Sequence, residues 1–210
     1  MTFERNVFIN CPFDNEYFPI LRSILFCLVY LDFTPQISET TDSGANRLSK
    51  LKDLIRTSKY SIHDISRVEL NSEGLPRFNM PLECGIDFGA KMLGPPKLRT
   101  KIFLILEKER HRYQGFISDI SGNDIRSHNN DPERAIQNVR DWLKLNERKS
   151  LDFSSNIWLV YNEFLYDLTE YAKENHFDPH HINSITFMDL IELMVTWKIG
   201  WDVRNHEIAG

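Results

Sequence analysis

The stretch RFNMPLECGIDFGAKM, from Arg77 to Met92, decides both the fold and the candidate site of this chain. It predicts a helix capped by Asn79, because asparagine is a good N-cap and the following Pro81 is tolerated in a first turn. Gly94-Pro95-Pro96 predicts where the helix ends. The flanking runs YSIHDIS (60–66) and KIFLILE (101–107) predict buried strands. A strand, a helix and a second strand form a βαβ unit of a parallel sheet.

The segments on the N-terminal side continue the same alternation. NVFIN (6–10) predicts a first buried strand, and the mostly apolar residues 16–31 predict a buried helix. Residues 33–38 predict a second strand, and the leucine spacing over 47–58 predicts an amphipathic helix. Residues 1–130 are therefore expected to form an α/β domain, a three-layer parallel sheet.

The C-terminal part of the chain has a helical pattern. Between 110 and 130 the hydrophobic pattern is lost, although Phe116 to Ile120 could supply one short element. Asp131-Pro132 predicts the start of a helix that reaches about residue 146. Two later apolar sets recur at helical spacing: Trp158, Leu159, Tyr161, Leu165 and Leu168, then Phe187, Leu190, Ile191, Met194 and Val195. We expect residues 131–210 to form a helical region packed on the α/β domain, with Trp158, Leu165, Leu190 and Met194 largely buried.

The composition bounds the possible partners. The formal net charge of −5 argues against bulk binding of nucleic acid. No apolar run reaches the ~18 residues of a membrane helix, and the N-terminus lacks the pattern of a signal peptide. Three separated cysteines without a CxxC pair fit reduced thiols. We therefore expect a cytoplasmic protein with no metal site and no cofactor. Homo-oligomer formation stays open.

Glu83 is the candidate reactive residue. It falls near the fourth position of the predicted helix, at the carboxyl ends of the strands, where the helix dipole favours a negative charge. A carboxylate there suits a nucleophile, or a stabiliser of the oxocarbenium-like transition state of glycosyl transfer. Asp87 shares its face of the helix, and Gly85, Gly89 and Ala90 would let the helix approach the sheet closely. The alternative is that Glu83 serves only helix stability.

Asp64 is the second candidate, at the end of its predicted strand. It alternates with His63, so the two side chains should point to opposite faces of the sheet. Asp64 would hold a ribose hydroxyl or orient Glu83, or it would cap the next turn, whereas His63 is more simply a structural group. The loop after the first strand, around Cys11 to Phe13, and the loop after the second, residues 38–46, would complete a pocket.

The order of these motifs resembles a known family. VFINCPF, a helix, a strand ending in aspartate, and LECGIDFGAK are similar to the nucleoside 2-deoxyribosyltransferase-like superfamily. That family is related in architecture to the Toll/interleukin-receptor (TIR) domains that cleave NAD. The resemblance covers about 6–107 and is most specific at Glu83-x-Gly85 and Gly89-Ala90-Lys91. It implies a flavodoxin-like or TIR-like sheet, with Glu83 as counterpart of the nucleophile and Asp64 as the strand-end aspartate.

Two departures shape the expected function. Arg77 stands where the transferases carry an acid, and Asn79-Met80 replace their Gly-Thr. Arg77 could face a phosphate, which favours a nucleotide or dinucleotide over a plain nucleoside. The expectation is cleavage or transfer at the N-glycosidic bond of a nucleoside, nucleotide or NAD-like molecule, with anti-phage defence implied by the resemblance alone. The alternative is a non-catalytic module for nucleotide sensing or protein interaction. Expected substrate-binding residues are Asn10, Pro12, Phe13, Arg77, Asn79 and Asp87.

Overall fold

The structure, a computed structural model, confirms the predicted parallel α/β sheet. It describes residues 2–38, 46–69, 74–75, 77–147, 150–174 and 185–208, with side chains to 205. The strands of the sheet lie in the order β2-β1-β3-β4-β5, and every neighbouring pair is parallel. Their bounds are β1 (Asn6–Asn10), β2 (Thr34–Ile37), β3 (Tyr60–Asp64), β4 (Ile102–Glu107) and β5 (Ile125–Ser127).

Helices cover both faces of this sheet. Val7 and Ile9 of β1 belong to the main core with α1 and α5, whereas Phe8 packs with Leu51 and Ile55 of α2 on the opposite face. This division follows from the alternation of side chains along a strand. The helices are α1 (Phe18–Tyr30), α2 (Arg47–Thr57), α3 (Asn79–Leu93), the short α4 (Pro96–Arg99), α5 (Pro132–Glu147), α6 (Ser154–Glu174) and α7 (Phe187–Ile208).

The strand order places a crevice between β1 and β3. The chain leaves β1 towards β2 on one side, then crosses back to β3 on the other side. The connections after β1 and β3 therefore diverge, and ligands in open parallel sheets bind at such a switch point. The predicted candidate residues lie at this end of the sheet.

The C-terminal helices cover α1 rather than the sheet itself. Phe26 of α1 is buried, and its ring lies 5.2 Å from Tyr161, 5.3 Å from Phe164 and 5.9 Å from Trp197. One hydrophobic core thus joins the sheet, α1, α5, α6 and α7.

The predicted burial of this region is only partly correct. Leu190 and Met194 are fully buried, as expected, but Trp158 and Leu165 are half-buried at the edge of the contact. Leu159 and Val195, which were counted in the apolar sets, are exposed because only one stripe of each helix faces α1. Among the described residues, no helix combines the length and apolarity needed to cross a bilayer.

The segment between β4 and α5 differs most from expectation. Residues near Phe116 to Ile120 form short 3₁₀ helices, and β5 was not predicted because IRS is a short, half-buried strand. Asp131 caps α5, as predicted, by accepting the Glu133 N–H at 2.9 Å. Since α5 packs on α1 in the main core, it continues the alternation of strands and helices beyond residue 130.

We expect Phe26→Ala to lower the free energy of unfolding by about 3–5 kcal/mol, because it empties the contact between α1 and the C-terminal helices. The matched control is Phe153→Ala, since Phe153 is 71% exposed. Its loss should cost less than ~1 kcal/mol. Urea denaturation followed by circular dichroism measures both. Equal costs would show that α6 and α7 do not share the core of the sheet.

Candidate functional site

A cleft of about 670 Å³ opens at the carboxyl end of β1. It is formed by the end of β1 and the loop after it, the start of α2, and the segment entering α3: Asn10, Cys11, Pro12, Phe13, Asp14, Arg47, Arg77, Phe78, Asn79 and Met80. The structure thus brings five of the predicted substrate-binding residues together, all but Asp87. Of the expected loop 38–46, residues 39–45 lie outside the described residues.

The start of α3 faces this cleft. The helix begins at Asn79, so Asn79 is not its cap as predicted; Phe78 holds that position and makes no side-chain cap. The Phe78 carbonyl accepts the Leu82 N–H at 2.9 Å, which closes the first turn. The N–H groups of Asn79 and Met80 precede the first intrahelical bond, and both residues line the cleft. The positive end of the helix therefore points at any bound ligand.

Glu83 lies beside the cleft but behind an arginine. It stands in the second turn of α3, one position later than predicted. Its side chain is 11% exposed, and its carboxylate accepts a hydrogen bond from Arg47 Nη2 at 3.1 Å. Arg47 lines the cleft, whereas neither Glu83 nor Asp64 is among the described residues that do. Arg47 thus separates the candidate carboxylate from the open space.

Asp87 is buried between α3 and the sheet. Its Oδ2 accepts hydrogen bonds from Ser61 Oγ at 2.6 Å and from His63 Nε2 at 3.2 Å. Its Oδ1 lies 3.3 Å from the buried Lys101 Nζ, which also donates to two main-chain carbonyls at 3.1 and 2.7 Å. Burial would raise the pKa of Asp87, but His63, Lys101 and Ser61 together hold that pKa below its ordinary value. Asp87 therefore acts as a structural carboxylate, with no exposed surface for a ligand.

Asn10 connects this buried group to the cleft. Its Nδ2 donates to the Met80 carbonyl at 2.9 Å and to His63 Nδ1 at 3.1 Å. Since Nδ1 of His63 accepts a hydrogen bond, the ring proton is on Nε2 and is donated to Asp87. Asn10 thereby ties β1 to the first turn of α3, and His63 ties β3 to its third turn.

Asp64 faces the opposite side of the sheet from His63, as the alternation predicts. It is fully buried and accepts hydrogen bonds from Tyr17 Oη at 2.7 Å, Ser66 N at 2.9 Å and Ser66 Oγ. His128 Nε2 lies 3.0 Å away, and its Nδ1 accepts the Asn130 N–H at 3.0 Å, so Nε2 carries the proton. Asp64 therefore joins the end of β3 to α1 and to the segment after β5. This matches the capping alternative for Asp64.

Cys11 lies within electrostatic range of both candidate carboxylates. Burial raises the pKa of the Cys11 thiol well above its ordinary value, and the negative charges of Asp64, Glu83 and Asp14 raise it further. A thiol in this environment stays protonated and is a poor nucleophile. Carboxylate chemistry therefore suits the site better than thiol chemistry.

Arg47 is the residue that sequence reasoning missed, whereas Cys11 belongs to the loop that was expected to line the pocket. The spacing of α2 indicated an amphipathic helix, but it did not reveal that Arg47, at the start of that helix, would meet a carboxylate on α3. The available signal was position, since Arg47 begins the helix that follows the carboxyl end of β2. Within the described ranges, no cluster of three or more histidine, cysteine, aspartate or glutamate side chains could hold a metal ion.

Comparison of the chain with protein-family models, with curated proteins and with solved structures finds no match. The resemblance to the deoxyribosyltransferase-like superfamily therefore remains an expectation from the sequence motifs. Any argument about function has to start from the geometry of the cleft.

We expect Asp87→Asn to lower the free energy of unfolding at pH 7 by about 3–5 kcal/mol, because it leaves the Lys101 ammonium buried without a counter-charge. The folded pKa of Asp87 lies below its ordinary 3.8, so its carboxylate stabilises the fold above that pH. This contribution is lost as the pH falls through the folded pKa.

Denaturation between pH 7 and pH 3 tests both points. The difference in the free energy of unfolding between wild type and Asp87→Asn should become smaller as the pH falls. The double variant Asp87→Asn/Lys101→Met, which removes both partners, should recover most of the stability. A gap that stays constant with pH would contradict the charge-pair interpretation.

Proposed function

We propose that this chain cleaves the N-glycosidic bond of a nucleotide or NAD-like dinucleotide, with Glu83 as the nucleophile or the stabiliser of the oxocarbenium-like transition state. The observation that carries the proposal is the Glu83–Arg47 pair at the edge of the cleft. It places a carboxylate suited to C1′ of a sugar next to a guanidinium suited to a phosphate.

The cleft supports binding of a phosphate group. Arg47 and Arg77 both line it, and guanidinium groups pair with phosphate oxygens through two parallel hydrogen bonds. The N–H groups of Asn79 and Met80 at the start of α3 add the donors that anions find at helix N-termini. A plain nucleoside would leave these positive groups unused.

A second cleft favours a ligand with two parts. It measures about 570 Å³ and shares Asp14 and Arg77 with the first. Arg77 therefore stands between two adjoining spaces, as a group bound to the central phosphates of a dinucleotide would. Phe13 and Phe78, which are 46% and 62% exposed on the first cleft, offer aromatic faces for a base.

The proposed reaction requires Arg47 to leave Glu83. A phosphate in the cleft competes for Arg47, and its departure opens the carboxylate to C1′. The base then leaves with the electron pair of the N-glycosidic bond, and Glu83 either bonds to C1′ or stabilises its positive charge. Water, or the hydroxyl of an acceptor sugar, then adds its oxygen at C1′. Its proton goes to the base when the base leaves as an anion, and to solvent when the base leaves neutral, as nicotinamide does from NAD.

A non-catalytic nucleotide sensor is the second candidate. Two observations favour it: Arg47 covers Glu83, and a contact between two aromatic rings connects the cleft to α7. Phe13 lies 5.3 Å from Phe187, the first residue of α7. A ligand that moves Phe13 would therefore act directly on the C-terminal helices. With NAD as substrate or signal, either function would fit the anti-phage role that the resemblance implies, in the cytoplasm.

Release of free base from NAD, nucleoside monophosphates and the matching nucleosides, measured by chromatography, tests the proposal. We expect turnover of a phosphate-bearing substrate in preference to its nucleoside. Glu83→Gln should cut that turnover by ~100-fold or more, because it removes the charge that meets the transition state. Its effect on stability should stay below ~1 kcal/mol, since Arg47 is 58% exposed.

Two controls separate catalysis from binding. Glu192→Gln, at an exposed position of α7, should leave turnover unchanged. Arg47→Gln should raise KM for the phosphate-bearing substrate more than for the nucleoside. A folded Glu83→Gln protein as active as wild type would refute the role of Glu83. Tight binding of a nucleotide by the wild type, without base release from any substrate, would replace the enzyme with the sensor.

A further inference from the structure

The outward face of α3 is uncharged along the whole helix and apolar from Leu82 onward. Its charged residues Glu83, Asp87 and Lys91 lie on or near the side that packs against the protein. The side that faces solvent carries no charge. It consists of Asn79, Leu82, Gly85, Ile86, Met92 and Leu93, together with Phe78 just before the helix and the half-buried Gly89. A surface helix of a monomer normally has the opposite arrangement, with charges outside and apolar residues inside.

The two glycines do not serve the packing of α3 on the sheet, which corrects the sequence-based expectation. A Cβ added to Gly85 or Gly89 would meet no atom within 4 Å. Each glycine inside a helix is unfavourable relative to alanine, so two of them on an open face need another reason. Glycines one turn apart form a shallow groove that lets a second helix approach the backbone closely. Of the three small residues, Ala90 alone packs against a core cluster.

The exposed apolar area of this face lies at the upper end of the range for a monomer. The exposed fractions are 62% for Phe78, 58% for Leu82, 38% for Ile86, 71% for Met92 and 85% for Leu93. At ~200 Å² for a fully exposed large side chain, they amount to on the order of 600 Å². The largest apolar patch of a typical monomer measures about 300–600 Å². A standard protein interface buries ~800 Å² per partner, so α3 with its rim could supply one side.

We propose that this face binds a second copy of the chain, with α3 crossing α3 of the partner about a two-fold axis near Gly85 and Gly89. A ridge, formed by Leu82, Ile86 and Leu93, and a glycine groove lie side by side on the same helix face. Such a face is complementary to itself, which is the requirement of a two-fold interface. Its lack of charge also removes the repulsion that a self-facing charged surface would suffer.

The proposed interface adjoins the candidate cleft. Phe78 belongs both to the cleft wall and to the apolar face. Association of two copies would therefore place the partner at the rim of the cleft and fix the position of the Phe78 ring. The proposed dimer does not depend on the proposed reaction. The dimer is argued from the outward side of α3, and the reaction from the inward side.

Sedimentation of the full chain across a wide concentration range tests the association. We expect a dimer for the wild type. Leu82→Glu should raise the dissociation constant ~10-fold or more, because it buries a charge in the interface. A glutamate in the first turns also suits the helix dipole, so the fold should be retained. The matched control is Ile199→Glu on α7, where Ile199 is 61% exposed and the dimer should persist.

Glycine variants test the packing itself. Gly89→Leu adds apolar surface yet fills the groove, and in the monomer a Cβ at this position meets no atom within 4 Å. It should weaken the dimer and raise the midpoint of thermal unfolding measured at concentrations where the chain is monomeric. Gly89→Cys should form an intermolecular disulfide on mild oxidation, whereas Ile199→Cys should not.

Three results would overturn the proposal. The first is a wild-type chain that stays monomeric at every concentration tested. The second is a dimer that Leu82→Glu leaves intact or that Ile199→Glu disrupts equally. The third is stronger association of Gly89→Leu, which would indicate a merely adhesive surface.

Discussion

The buried carboxylate of Asp87 fixes the orientation of α3. It lies against Ser61 and His63 on β3 and against Lys101 just before β4, so turning the helix about its axis would leave charges unpaired in the interior. With Asp87 turned inward, Glu83, one turn earlier, must face Arg47 and the cleft. The same constraint sends Leu82, Ile86 and the glycines to solvent. Both proposals therefore depend on opposite sides of one helix whose rotation is set by a single charge.

The sheet was the most predictable part of the molecule. β1 and β3 are buried on both faces along their whole length, and β4 is buried from its third residue. Continuous hydrophobic runs predict strands of this kind. β5 carries no such signal, because it is a three-residue edge strand whose side chains are half-buried. The burial along α6 and α7 was harder to predict, since their partner is α1 and hydrophobic spacing does not identify the facing helix.

The sequence was sufficient to predict where the candidate site lies, but not which contacts its residues make. The cleft lies where the strand ends suggested, and Asn10, Phe13 and Arg77 share it. The role of the glycines was misjudged because α3 turns its charged residues towards the protein and its apolar residues towards solvent. The spacing of residues alone does not show which side of a helix faces the protein. The hydrogen-bonded group around Asp64 includes His128, which lies outside the part of the chain that the family resemblance covers. Such hydrogen bonds join residues that are distant in the sequence, so no local sequence pattern predicts them.

The nearly complete burial of α1 has a consequence for the synthesis of the chain. Helix α1 packs on the sheet and on α5, and in the described part of the chain its outer side, with Phe26, is covered by residues of α6 and α7. At ~5–20 residues per second, a ribosome needs roughly 10–35 s after finishing α1 to complete those helices. Throughout that time the nascent protein carries an uncovered aromatic surface, so it should be a client of ribosome-associated chaperones until α7 emerges.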